Sequence, residues 1–432
     1  MGSHTSNYGI ILILAFCNLT QGLVFFQPEQ IHISYGDSPS EMIVTWSTVD
    51  PTEHSIVEYG IGGLILNTHG RAEVFIDGGK KSRTQFIHTV KLKDLTPGTT
   101  YMYHCGSSKG WSEIFTFTTM KEGTNWSPRF AVFGDMGNVN AQSLPRIQQE
   151  TQRGHFDAIL HVGDFAYDMN TDNAKVGDEF MRQIQSIAAY VPYMTCPGNH
   201  EEAYNFSNYR ARFSMPSSLD SMVYSFDIGP AHIIGISTEF YYFLEYGFKQ
   251  VVKQYEWLEQ DLIKANKNRK ERPWIITFGH RPMYCTNLNR DDCTKHETLV
   301  RSGLPFLHWF SLEDLFYEHG VDLEIWAHEH SYERLFPIYD YKVYNGSYEA
   351  PYTNYKAPVH IITGSAGCQE GREHFTGDKP DWSAFRSNDY GYARMTVQNK
   401  THLYFEQVSD DKKGAVLDSL WLIKDLHGPY KN

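Results

Sequence analysis

The sequence predicts two folded domains: an N-terminal all-β sandwich and a larger α/β domain after it. Three observations carry this. Residues 27–120 hold short alternating runs with turn chemistry at regular spacing, the pattern of a sandwich. The stretch from Arg129 to Tyr167 then reads RFAVFGDMG, a short amphipathic segment, and AILHVGDFAY, the pattern of a βαβ unit with a parallel strand pair. Finally, five apolar runs of the second domain end in residues able to bind a metal ion.

The 432 residues suffice for two or three domains, and the high aromatic content supplies substantial cores. A net charge of −13 with no basic run argues against nucleic-acid binding. A negatively charged substrate therefore needs a local cation.

The apolar run from Ile10 to Cys17 is too short to span a bilayer and fits the core of a signal peptide. Thr20 and Gly22 offer a small-residue cleavage site, so residues 1–22 are assigned to that signal. Met1-Gly2 with Ser6 also matches a myristoylation pattern, ranked lower because it leaves the apolar run unexplained. No other stretch is apolar enough for a transmembrane helix, and stable membrane insertion is not expected. Glycosylation sequons at Asn125, Asn205, Asn345 and Asn399 agree with a secreted or lysosomal protein. Cys285 and Cys293 flank a polar loop and suit a local disulfide in an oxidising compartment. Cys196 is expected to be a buried thiol, and the pairing of Cys105, Cys196 and Cys368 is left open. One of these must stay free or pair outside the chain, which keeps a homodimer in view.

In the first domain, strands are expected at 42–46, 55–59, 86–92, 100–105 and 115–118. The Trp46 position and the L-x-P-G-x-x-Y segment from Leu95 to Tyr101 resemble a fibronectin type III module. A structural or docking role follows, since no catalytic grouping is present. A polar linker, 121–128, leads to the second domain, assigned to 126–432. Its expected strands are 130–133, 158–162, 192–196, 222–226, 232–237, 274–278, 323–326 and 359–363, followed by 391–397, 402–407 and 415–423. The last three are expected to finish a second sheet. Helices are expected at 141–151, 176–190, 251–266 and 312–318.

Asp135 and Asp164 leave parallel strands at one sheet edge, where open α/β folds place their sites. Two carboxylates aimed at one spot repel unless a cation lies between them. The other strand ends add Tyr167, Asn199 with His200, His280, and His328 with His330. Each has a dull explanation alone, as a turn or a satisfied histidine; five together do not. His161, His232, His319 and His360 lack such partners and are assigned structural places.

The set Gly134-Asp-Met-Gly137, Gly163-Asp-Phe-Ala-Tyr167, Gly198-Asn-His-Glu201, His280 and Ala327-His-Glu-His330 resembles the metallophosphoesterase superfamily, and within it the purple acid phosphatases, closest to their animal branch. The likeness covers nearly the whole mature chain. It implies a two-sheet βαβαβ sandwich flanked by helices for the α/β domain. It also implies a binuclear metal centre. Asp135, Asp164, Tyr167 and His330 would hold the first metal, and Asp164, Asn199, His280 and His328 the second, with Asp164 bridging. The hard anionic donors of the first site suit Fe(III); the second suits Zn, Fe or Mn. Position 137 is Gly where the wider superfamily has His, and Tyr167 fills that gap. The implied activity is hydrolysis of phosphate monoesters on small molecules or proteins, best at acid pH, by hydroxide that the metals activate. His200 is assigned to transition-state charge and the leaving oxygen. Plant members carry a His pair in the loop after the His280 strand. Here that loop has only His296, assigned to substrate binding or acid duty. Two alternatives accompany this expectation: a phosphodiesterase or nucleotide pyrophosphatase on the same centre, and a catalytically inert secreted binding protein. The complete ligand set weighs against the second.

Overall fold

The computed structural model describes residues 25–217, 220–305 and 307–430. The expected signal segment and the myristoylation pattern lie outside them. Among the described residues no helix is long and apolar enough to cross a membrane.

The first domain is a sandwich of two antiparallel sheets. One orders its strands Glu29–Tyr35, Met42–Thr48, Thr84–Leu92 and Arg71–Ile76. The other runs Leu66–His69, Ile56–Gly60, Thr100–Ser107 and Gly110–Trp111, with Phe115–Thr118 also paired to Thr100–Ser107. Trp46 is buried in the core and stacks on the His88 ring at 4.9 Å. Strand Glu29–Tyr35 packs on the helix Thr171–Ala188 of the second domain. That contact is tied by polar anchors: Tyr103 Oη donates to the Ala189 carbonyl at 2.7 Å, and Asp178 sits buried between Arg83 at 2.5 Å and Arg212 at 2.9 Å.

The α/β domain stacks two sheets. The first orders Tyr193–Cys196, Ala158–Val162, Arg129–Phe133, Gly391–Val397, His402–Ser409 and Ala415–Ile423. Its first three strands are parallel. The second orders Tyr224–Ile228, Ala231–Gly235, Trp274–Phe278, Leu323–Trp326, Val359–Thr363, Tyr332–Leu335 and Ser383–Ser387. Its four strands from Ala231–Gly235 to Val359–Thr363 are parallel. Strands Arg129–Phe133, Ala158–Val162 and Trp274–Phe278 are almost wholly apolar because the parallel sheets are covered on both faces.

The three C-terminal strands do not finish the second sheet. They extend the first, with Val132 opposite Ala393 in an antiparallel pair. Strand Arg129–Phe133 has Ala158–Val162 on one side only, and an unpaired central edge leaves a row of backbone donors and acceptors unsatisfied. Gly391–Val397 fills that edge. The helix expected at 176–190 is the Thr171–Ala188 element, whose Asp172, Asn173 and Ala174 have left-handed φ, so regular helix begins close to the expected start. Cys285 and Cys293 form the expected disulfide. Cys105, Cys196 and Cys368 are free and buried, so the thiol expectation for Cys196 holds. Of the sequon asparagines, Asn125 and Asn399 are exposed, and Asn205 and Asn345 are half-buried.

Under the second sheet, Asp322 fastens the C-terminal segment. Its buried carboxylate accepts from Lys424 Nζ at 2.8 Å, Arg269 Nη1 at 2.8 Å and the Ile275 amide at 2.9 Å. Burial acts to raise its pKa, but Lys424, His427 and Arg269 outweigh it and hold the carboxyl well below the usual range. A depressed folded-state pKa stabilises above the unfolded value of about 3.9 and is lost as pH falls below it. Asp322→Asn is expected to cost roughly 3–5 kcal/mol, because buried cations lose their counter-charge. Thermal melting should show that gap at pH 5–8 and a narrowing gap below pH 4.

Candidate metal centre

The site lies where the carboxyl ends of both sheets meet. Asp135, Asp164 and Asn199 follow strands of the first sheet; His280, His328 and His330 follow strands of the second. The turns that carry them are strained. Asp135, Asp164, Tyr167 and His328 all have positive φ, between 52° and 69°, a conformation that L-residues adopt at some cost and that clusters at functional sites. Glycines make the close approach possible. A Cβ at Gly198 would meet Asp164 Oδ1 at 2.1 Å, and one at Gly163 would meet His280 Nδ1 at 2.5 Å.

The structure brings all seven sequence-predicted residues together. In one cluster the Tyr167 phenol oxygen lies 3.3 Å from Asp135 Oδ1 and 2.8 Å from His330 Nε2. In the other, His280 Nε2 faces Asn199 Oδ1 at 3.1 Å, Asp164 Oδ2 at 3.1 Å and His328 Nδ1 at 3.2 Å. The two clusters touch through Asp135 Oδ2, which accepts from the His328 amide at 2.9 Å.

The imidazole protons decide what this arrangement needs. An oxygen of a carbonyl or carboxylate only accepts, so the nitrogen facing it carries the hydrogen. His280 Nδ1 faces the Val162 carbonyl at 2.9 Å, His330 Nδ1 the Gly371 carbonyl at 3.1 Å, and His328 Nε2 the Asp291 carboxylate at 2.6 Å. Each ring therefore donates outward and aims a lone pair inward: His280 Nε2 at the Asn199 and Asp164 oxygens, His330 Nε2 at the Tyr167 phenol, and His328 Nδ1 at His280 Nε2. This is the arrangement of metal-binding histidines. Without a cation the pocket must hold protons instead. Burial lowers His280, but Asp164 and Asp135 raise it to about 10; for His330, against burial, Asp135 and Cys368 raise it to about 12. The donor set fits two ions: hard oxygens around Asp135 and Tyr167, and imidazoles with an amide oxygen around Asn199 and His280.

His200 sits at the rim, partly exposed. Its amide donates to Asp164 Oδ1 at 3.0 Å, its ring lies 4.4 Å from that of Tyr167, and Nδ1 pairs with Asp168 at 2.9 Å. Burial lowers its pKa, but Asp168 and Asp164 carry it to about 9. His296 is elsewhere. Its exposed ring stacks on Tyr341 at 4.9 Å and shares no hydrogen bond or ion pair with the seven. The loop turns Asp291, not His296, toward the cluster. Ala327 fits beside the ligand turns because Gly134 faces it: a Cβ at 134 would meet the Ala327 methyl at 2.4 Å.

Sequence reasoning missed the residues that hold the cluster in place. Glu201 is buried and accepts from three amides, Asp164 at 3.0 Å, Phe165 at 3.0 Å and Gly198 at 2.9 Å, clamping two ligand turns together. Arg281 pairs with the buried Glu239 at 2.9 Å and lies 3.1 Å from His328 Nε2. Their only signal is adjacency to a ligand run, as in Asn199-His200-Glu201.

Two stacked sheets meeting over such a cluster define a calcineurin-like phosphoesterase, and the family model of that description matches residues 128–332. Models described as "Purple acid Phosphatase, N-terminal domain" and "Iron/zinc purple acid phosphatase-like protein C" match residues 28–119 and 357–419. The chain is 59% identical over 416 residues to acid phosphatase type 7 of Danio rerio, covering 93% of each chain. It is 56% identical to the Homo sapiens protein of that name, covering 93% of this chain and 92% of the other. A solved purple acid phosphatase from yellow lupin (Lupinus luteus) seeds superposes with a TM-score of 0.78 at 25% identity, covering 92% of this chain and 75% of its own. The chain belongs to the purple acid phosphatase family.

The Glu201 clamp is open to test. Glu201→Ala strands three buried amides, each worth about 1–3 kcal/mol when unsatisfied. Differential scanning calorimetry of metal-free protein should show a clear loss for Glu201→Ala and a smaller one for Glu201→Gln. Equal midpoints for all three proteins would contradict the clamp.

Proposed function

We propose that the chain hydrolyses phosphate monoesters at an iron–divalent metal pair. The observation that carries this is the convergence of three inward imidazole nitrogens with the buried Asp135, Asp164, Tyr167 and Asn199 oxygens, a donor set that cations would satisfy. Asp135, Asp164, Tyr167 and His330 would hold iron, and Asp164, Asn199, His280 and His328 the divalent ion, with Asp164 shared. When bound, the ions supply Lewis acidity: they acidify water and neutralise the phosphoryl oxygens. The chain's own residues do the rest. Outward hydrogen bonds to Val162, Gly371 and Asp291 fix ring orientation before substrate arrives. His200, anchored at Nδ1 by Asp168 and with Nε2 3.6 Å from Glu370 Oε1, stands at the rim of the cluster, where it would donate its proton to the leaving oxygen. The preference for acid pH rests on family membership.

Secretion or delivery to the lysosome is part of the proposal. The apolar run from Ile10 to Cys17, the Cys285–Cys293 disulfide and the exposed Asn125 and Asn399 support it. The substrate is a phosphorylated small molecule or protein.

Steady-state kinetics on an aryl phosphate monoester and its diester test the activity. The monoester should turn over with the higher kcat/KM. Asp164→Asn should abolish turnover and metal retention together; turnover surviving without metal would refute the assignment. His200→Gln should keep both metals and lower kcat by roughly 10²–10⁴-fold.

A further inference from the structure

The loop from Cys285 to Cys293 is sewn onto the segment that carries His328 and His330. Thr286 donates to Glu333 through its amide at 2.9 Å and its hydroxyl at 2.7 Å, and Asn287 Nδ2 donates to Ser331 Oγ at 3.0 Å. Asn289 Nδ2 donates to Glu329 at 2.9 Å. These partners alternate along the chain with the two histidines. The disulfide closes the loop over eight positions, and the Cys285 amide donates to the Cys293 carbonyl at 3.3 Å.

At the end of this loop stands Asp291. Its Oδ1 accepts from the Asp292 amide at 2.5 Å and starts the turn Asp292–Thr294 that contains Cys293. Its Oδ2 accepts from His328 Nε2 at 2.6 Å. Arg281 Nη1, a donor like that nitrogen, lies 3.9 Å from the same carboxylate and offsets its charge. The Asp291 side chain is 32% exposed, so in a free loop it would be drawn into water and the hydrogen bond would add little. Closure of the loop removes that freedom.

We propose that Asp291 is a positioning residue for the second metal site, and that the Cys285–Cys293 disulfide acts on the metal through it. Asp291 accepts the hydrogen bond from His328 Nε2–H, which fixes the His328 tautomer and turns Nδ1 toward His280 and Asp164. The disulfide keeps Asp291 there. An oxidised loop is then a condition for tight binding of the divalent ion, while the tyrosine-bearing site is untouched. This rests on the ligand assignment proposed above.

The test is zinc affinity of the full chain, measured by chelator competition, with the iron absorption band as an internal control. Loss of a hydrogen-bond partner to a metal-bound histidine typically weakens affinity about 10–100-fold, and that loss is expected for Asp291→Ala. Asp291→Asn, which keeps an acceptor oxygen, should recover part of it. Cys285→Ser/Cys293→Ser should weaken zinc in the same direction. Combined with Asp291→Ala it should weaken zinc no further than Asp291→Ala alone, because both act on one contact. The iron band should persist in every variant. Unchanged zinc affinity in Asp291→Ala, or losses that multiply in the combined variant, would overturn the inference and leave the ligand assignment standing. Unchanged zinc affinity in His328→Ala would overturn both.

Discussion

Two buried carboxylates, aimed at one point from neighbouring strand ends, set the terms for the rest of the structure. Asp135 and Asp164 are out of reach of solvent, and the groups nearest them are imidazoles, an amide and a phenol. No lysine or arginine side chain pairs with either among the described residues. Burying a charge without a partner is expensive, so the pocket is stable only when positive charge enters it. In the metal-free chain that charge comes from protons on His280 and His330. With metals it comes from the ions, and the outward hydrogen bonds of the rings already prefer that state.

The fold serves this pocket by placing strand ends. Parallel strands in each sheet deliver side chains to one edge, and stacking two sheets brings the edges together. Left-handed turns at Asp135, Asp164, Tyr167 and His328 then bend the chain abruptly so that short side chains reach inward. Such turns need support, and Glu201 supplies it by holding three amides of two turns on one carboxylate. Around the second cluster, support comes from outside the sheets: the disulfide-closed loop, with Asp291 near its end. Among the described residues, no hydrogen bond or ion pair joins the sandwich to these seven residues. The sandwich strand Glu29–Tyr35 packs on the Thr171–Ala188 helix, Arg83 pairs with Asp178 of that helix and Tyr103 donates to the Ala189 carbonyl just past it, bracing the element behind the first sheet.

Much of this was legible in the sequence, for a physical reason. Strands covered on both faces are largely apolar, so Trp274–Phe278, Leu323–Trp326 and Ala158–Val162 stand out as runs and the residues after them as a list of ligands. What was hidden depends on proximity in space. Sheet membership of Gly391–Val397 follows from which edge lacks a partner, and an alternating strand does not announce that edge. Tyr332–Leu335 and Ser383–Ser387 are short and carry Glu, Arg and Ser, so no periodicity marks them. Asp291 acts through its contact to a ligand and has no motif of its own, and Glu201 closes the Gly198-Asn-His-Glu201 run without showing there that it holds three amides. His296 drew attention as a histidine in a promising loop, yet its ring turns to Tyr341 and the neighbouring aspartate turns inward.

The central claim, that this pocket is built for two cations with a phenolate on one of them, is tested most directly by metal analysis of purified protein together with its visible absorption spectrum. The account predicts two metals per chain, one of them iron, and a tyrosinate-to-iron band that Tyr167→Phe removes while metal content stays near two. A protein that takes up no metal on reconstitution, or a band that survives in Tyr167→Phe, would contradict it.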